Sequence, residues 1–228
     1  MKTIHPIVLA ALVSLLLTGL PAKGNLIQAS DPRFGLNSLT IDTGTGLGWL
    51  NLAASAGLSY QQVLADTQPG GSFSGFRFAT AQEVLTLYAS AGIPGTGYYP
   101  APAPSELSIL SLISLVGATS FQDGYPETFG ISATSYSGGQ VVPGIDFIYL
   151  SGVPAYEVTG VPGQTLTYGQ DTSFPTVGSW LVSSVPETVG ASIYVLAAAG
   201  LIGFGLSQRQ QKPPNARAGG DGNGTAVP

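Results

Sequence analysis

Two uncharged apolar runs bracket this sequence and decide how much of it is free to fold. The first, Ile7–Leu20, is 14 residues long and follows Lys2. A bilayer-spanning helix needs about 20 apolar residues, so this run has the length of a signal-peptide core instead. Pro21 interrupts it, and Ala22-Lys23-Gly24 supplies small residues at a cleavage site. Residues 1–24 therefore read as a signal peptide cleaved after Gly24, with Ala22 and Ala29 as the alternative cleavage points. The second run, Val189–Leu206, carries no charge over 18 residues. As a helix it spans about 27 Å, enough for a hydrocarbon core. Glu187 precedes it and Arg209, Lys212 and Arg217 follow it. The positive-inside rule places that basic end in the cytoplasm and the preceding domain outside. The signal peptide places the same domain outside. What remains to fold on its own is residues 25–184, enough chain to bury a core without disulfides.

The chemistry open to that domain is narrow. The whole chain has no cysteine, and its one histidine, His5, lies inside the expected signal peptide. A Ser-His-Asp or Cys-His catalytic site is excluded, as are zinc sites of the usual His/Cys type and lipid attachment through an N-terminal cysteine. Residues 25–185 hold ten acids against two bases, Arg33 and Arg77, a net charge of −8. A surface of that sign repels phosphate backbones, so nucleic acid is not an expected partner. No cofactor and no enzymatic activity are expected.

Val185-Pro186-Glu187, then the apolar segment, then Arg209 and Lys212, resemble the PEP-CTERM sorting signal of bacterial surface proteins. The likeness runs over residues 185–212, with a transmembrane helix at 189–206; Thr188 stands where the family motif has a second proline. It implies an exosortase-type membrane enzyme as the processing partner and an association with exopolysaccharide. It also implies a route: anchored in the inner membrane with the domain outside, then processed to the cell surface or extracellular matrix. Pro186 keeps the backbone before it extended, which suits a protease site beside the bilayer. Residues 213–228 are low in complexity and read as a disordered, solvated tail.

Within the domain, Leu39–Asp42 and Gly46–Leu52 read as strands around a glycine-rich turn. Ser59-Tyr-Gln-Gln62 and Thr80-Ala-Gln-Glu83 are capping boxes, each opening a helix, and Leu58 with Val63 forms a hydrophobic staple on the first. Val84, Leu85 and Tyr88 give the second helix an apolar face, and Gly92 with Pro94 stops it. A short aromatic strand is expected near Phe78. Gly95–Pro104 is expected to be a loop without regular structure. Ser105–Val116 reads as a third helix capped by its serine. Beyond Thr119, Phe129–Tyr136, Asp146–Leu150, Ala155–Thr159 and Ser179–Ser183 read as strands between Gly/Pro turns. Helices early and strands late predict an α+β fold with two or three short helices and a small antiparallel sheet.

Asp42-Thr-Gly-Thr-Gly-Leu-Gly-Trp49, then Ser59-Tyr60, then Gly75-Phe-Arg-Phe-Ala-Thr80 and Glu83-Val84, resemble the exported Lcl-type C-type-lectin-like domains of bacteria. The likeness is carried by residues 41–91, with Trp180-Leu-Val182 as the counterpart of the family's last strand. It implies a C-type-lectin-like fold.

Arg77, Glu83, Trp49 and Trp180 are the candidate ligand-binding residues. The capping box by itself accounts for Glu83, and aromatic residues in terminal strands serve more often as core than as sugar platforms. Asp123, Glu127 and Asp146 fall in loops or at strand edges, and two of them could serve as the acid and base of a glycosidase. No D-x-[DN]-x-[DN]-G calcium loop is present, and the glycine clusters at 44–48 and 69–75 lack the lysine of a phosphate cradle. Three functions remain: a non-enzymatic surface or matrix protein, a carbohydrate- or calcium-binding lectin-like module, and a carboxylate-only polysaccharide hydrolase.

Overall fold

A computed structural model describes residues 25–185 of the chain. The expected signal peptide, the sorting signal from Pro186 through Glu187, Arg209 and Lys212, its helix and the tail lie outside the described residues. Among the described residues no helix is long and apolar enough to cross a membrane.

The fold is α+β. Its strands in chain order are β1 (Leu26–Asp31), β2 (Gly35–Asp42), β3 (Leu47–Leu50), β4 (Arg77–Phe78), β5 (Gly97–Pro100), β6 (Ser120–Gln122) and β7 (Tyr125–Ile131). There follow β8 (Ser135–Tyr136), β9 (Gly139–Val141), β10 (Gly144–Leu150), β11 (Val153–Thr159), β12 (Thr167–Tyr168), β13 (Gly178–Ser179) and β14 (Leu181–Ser184). The helices are α1 (Tyr60–Asp66), α2 (Ala81–Ser90) and α3 (Pro104–Val116), with a 3-10 turn at Leu52–Ser55.

Both capping boxes form. Ser59 Oγ accepts from the Gln62 N–H, and Gln62 Oε1 accepts from the Ser59 N–H at 2.8 Å. Val63 is fully buried, and Leu58 packs against the same cluster, as a staple requires. In α2 the buried face is Ala81, Val84, Leu87 and Tyr88, and the chain leaves the helix through Gly92 at φ 82°, a conformation glycine adopts without strain.

One sheet has the order β1-β2-β3-β14-β4, so the C-terminal strand is inserted between two early ones. Val182 pairs with Trp49, and Leu181 pairs with Phe78. Because side chains alternate along a strand, Trp49 and Val182 feed one core while Leu50, Leu181 and Phe78 feed another. Its strands β3 and β14 carry buried side chains on both faces. Trp180, between β13 and β14, is fully buried in the first core. Its ring lies edge-on to Trp49 at 5.9 Å and to Tyr88 at 6.2 Å. Gly130 makes room for it: a Cβ there would lie 2.6 Å from Leu52 Cδ2 and 2.7 Å from Trp180 Cδ1. The second sheet runs β13-β7-β10-β11-β5, with β6 paired to β7; a third joins β12, β9 and β8.

The structure departs from the sequence expectations at several points. The sheets are larger than a small antiparallel one, and β13 pairs with β7 in parallel. The 178–184 segment is two strands, because the chain crosses from one sheet to the other at Trp180. The 129–136 segment is likewise divided between β7 and β8. Gly95–Pro104 is not structureless: β5 pairs with β11, Tyr98 opposite Glu157 and Pro100 opposite Ala155. Proline is accepted there because β5 is the sheet's edge. Helix α3 starts at Pro104 after Ala103, without a side-chain cap; proline in the first turn takes the role expected of Ser105.

Candidate functional site

The four residues first singled out are consumed by the fold. Trp49 and Trp180 are 1% and 0% exposed and present no face to a ligand. The Trp180 indole N–H also donates to the Pro143 carbonyl at 3.0 Å. Glu83 Oε2 accepts from the Thr80 N–H at 2.8 Å, while Arg77 holds both Glu83 oxygens at 2.6 and 3.0 Å. The Arg77 guanidinium, with help from the cap, lowers the Glu83 carboxyl to about 2. This pair fastens β4 to the start of α2. Val185, the first residue of the expected sorting motif, donates its N–H to Gly46 O at 3.0 Å at the end of the first sheet.

The strand registers assemble a different site. Asp146 on β10 stands directly opposite Glu157 on β11, which stands opposite Tyr98 on β5. On the other side of Asp146, the Glu127 carboxylate of β7 lies within hydrogen-bonding reach of it. Glu127 is 5% exposed. The β7–β10 ladder stops at Ile145↔Thr128. Beyond that point Glu127 Oε1 accepts the Phe147 N–H at 3.1 Å, and Oε2 accepts the Ser120 hydroxyl at 2.7 Å. A side-chain carboxylate thus takes the place of a backbone carbonyl at the strand seam. Asp123, the third expected carboxylate, is at the exposed β6–β7 turn with φ 50° and does not join the row.

The row opens onto a groove. Asp146, Glu157 and Thr159 line a cavity of about 370 Å³ with Gln164 and Thr165 of the segment after β11. A second cavity of about 290 Å³ shares Glu157, Thr159 and Gln164 and extends past Tyr98. Burial, followed by the hydrogen bond and charge of Glu127 and the charge of Glu157, pushes Asp146 up to about 7. The charge and hydrogen bond of Glu157 also raise the exposed Tyr98 phenol. The domain's two cations are engaged elsewhere, Arg33 with Asp31 at 3.0 Å and Arg77 with Glu83. Among the described residues no group of three acid, histidine or cysteine side chains is disposed to hold a metal ion. Chemically, the site offers the raised Asp146 carboxyl, further carboxyl oxygens, neutral hydroxyl and amide groups, and one exposed aromatic ring.

Glu157 and Tyr98 carried no local signal in the sequence. The alternation of β11 predicts which face Glu157 occupies, but its partner is fixed by non-local register. Compared with protein-family models, curated proteins and solved structures, the chain finds no match in any of the three.

Proposed function

We propose that this chain is an exported, non-enzymatic surface or extracellular-matrix protein, delivered by a signal peptide and sorted through a PEP-CTERM-like C-terminus by an exosortase-type membrane enzyme. The observation that carries the reading is the order of segments: Val185-Pro186-Glu187, an uncharged run, and a basic cluster, directly after the last strand of the sheet. The acidic character of the domain supports a neutral extracellular partner such as exopolysaccharide over a polyanion. The lectin-like scaffold belongs to this proposal. It is supported by the β2–β3 hairpin bearing Trp49, the two capping-box helices around β4, and the final strand paired with β3. Protease treatment of intact cells of the native host tests the location. Peptides from residues 25–185 should be released while cytoplasmic proteins stay intact; protection until lysis would contradict it.

A second reading, a carboxylate-only hydrolase of polysaccharide, is favoured by one observation. Asp146 and Glu157 stand opposite each other at the wall of the groove, with Asp146 raised to about 7 by burial and by the buried Glu127 beside it. A carboxylic acid raised toward neutrality beside a second carboxyl group is the equipment of a glycosidase. Hydrolysis across a polysaccharide panel, lost in Asp146→Asn and in Glu157→Gln, would establish it; no hydrolysis in the intact protein leaves the non-enzymatic reading.

A further inference from the structure

Alternation along the strands gives the second sheet two unlike faces. In the pairs Phe147↔Tyr156 and Ile145↔Val158 of β10 and β11, all four side chains are buried in the first core. The alternate pairs point the other way. Asp146, Glu157 and Thr159 therefore lie on the outer face, with Tyr98 opposite Glu157 on the edge strand β5. The chain after β11 folds back beside this face and is fastened there. The Thr165 hydroxyl donates to Val142 O at 2.9 Å, and the Val142 N–H donates to Leu166 O at 3.0 Å. The groove thus has strands for a floor and residues 163–166 for a wall.

Its two cavities share Glu157, Thr159 and Gln164, so they are continuous. From Asp146 to Tyr98 the groove crosses two strand spacings, about 10 Å. Volumes of about 370 and 290 Å³ put each part near the lower limit of a small-molecule site, about 300 Å³. A ligand of a few linked units fits that shape better than a single compact one.

The lining selects the ligand's chemistry. Thr96, Thr159, Gln164 and Thr165 are neutral hydroxyl and amide groups, and the Asp146 and Glu157 carboxyls take hydrogen bonds from hydroxyls or amines. Arg33 and Arg77, the only bases in residues 25–185, are held by Asp31 and Glu83. The groove therefore has no side-chain cation to receive a ligand's sulfate, phosphate or carboxylate. Tyr98 is 52% exposed at its rim, whereas both tryptophans are sealed in the core. A tyrosine so placed offers an apolar ring face with a polar tip in water, which suits the C–H face of a sugar ring.

We propose that this groove is a binding cleft for an extended, hydroxyl-rich glycan without acidic substituents, with Tyr98 as its stacking platform. It rests on the exported, exopolysaccharide-facing reading only for where such a polymer is met, and it requires no hydrolysis. The floor is set in advance: β10 and β11 are joined by seven registered pairs and β11 and β5 by four. Little ordering of the protein is then lost on binding.

Binding of the purified full chain, in detergent, to immobilised probes tests the cleft. The probes are cellohexaose, the hexamers of N-acetylglucosamine and of glucosamine, the non-acidic polysaccharide fraction of the native host's matrix, an alginate hexamer and hexalysine. At least one non-acidic glycan should bind, and more tightly than alginate or hexalysine. Tyr98→Ala should weaken that binding about tenfold or more, while Tyr98→Phe, which keeps the ring, should largely retain it. Gln164→Ala, on the facing wall, should also weaken it and carries the test if Tyr98→Ala does not fold. No binding to any non-acidic probe would overturn the proposal, as would binding that Tyr98→Ala leaves unchanged. Tighter binding of alginate or of hexalysine would overturn it equally, the latter making the groove a trap for cations. Protease treatment of intact cells reads the address separately. A chain found outside that binds none of the glycans sinks the cleft alone, and a Tyr98-dependent binder confined to the cytoplasm sinks the address alone.

Discussion

Replacing Trp180 with phenylalanine separates a structural tryptophan from a ligand platform. The indole is fully buried, edge-on to Trp49 and Tyr88, and its N–H donates to Pro143 O at 3.0 Å. The loss of that hydrogen bond costs about 1 kcal/mol. The Pro143 carbonyl keeps its other donor, the Gly130 N–H at 3.1 Å, so no orphaned acceptor adds to this. Shrinking indole to phenyl leaves a void among Leu52, Trp49 and Tyr88, worth about 2 kcal/mol more by the cost of lost apolar burial and cavity. The sum, about 3 kcal/mol, corresponds to a fall in Tm of about 6–12 °C for a domain of this size. Urea denaturation of the purified protein followed by far-UV circular dichroism measures it, with the midpoint lowered and the slope unchanged. A loss under about 0.5 kcal/mol, the scale of a surface substitution, would refute the assignment of Trp180 to the core.

Other outcomes follow from the same geometry. Glu83→Ala removes both the cap acceptor and the partner of Arg77, and should cost about 1–2 kcal/mol in chemical denaturation, the discount for an exposed ion pair included. Because Glu83 is lowered to about 2 in the fold, its contribution is full above the ordinary carboxyl range and declines as pH falls toward 2; the variant should lack that acid limb. Gly130→Ala forces a methyl group against Leu52 and Trp180 and should cost about 1–3 kcal/mol by overpacking, read as a lowered urea midpoint.

What the sequence revealed and what it hid divide by distance along the chain. Both capping boxes are contacts between residues three apart, so α1 and α2 were legible from Ser59/Gln62 and Thr80/Glu83 alone. The α+β class followed from the same local patterns. The insertion of β14 between β3 and β4 was not legible, since it depends on pairing residues more than a hundred positions apart. Pro100 argued against a strand at Gly97–Pro100, yet an edge position removes the objection. The candidate site divides the same way. Glu83 could be assigned to its cap from spacing, and the tryptophans to the core from their strands. Glu127 and Asp146 were visible as two of ten scattered acids. Their meeting, and the presence of Glu157 and Tyr98 beside them, is a product of register across four strands.

The proposed address is tested most directly by mass spectrometry of both ends of the chain recovered from its native host. The mature protein should begin at Asn25 and end near Glu187, with the latter boundary lost when the processing enzyme is deleted. An intact chain from Met1 to Pro228 in the cytoplasm would contradict it.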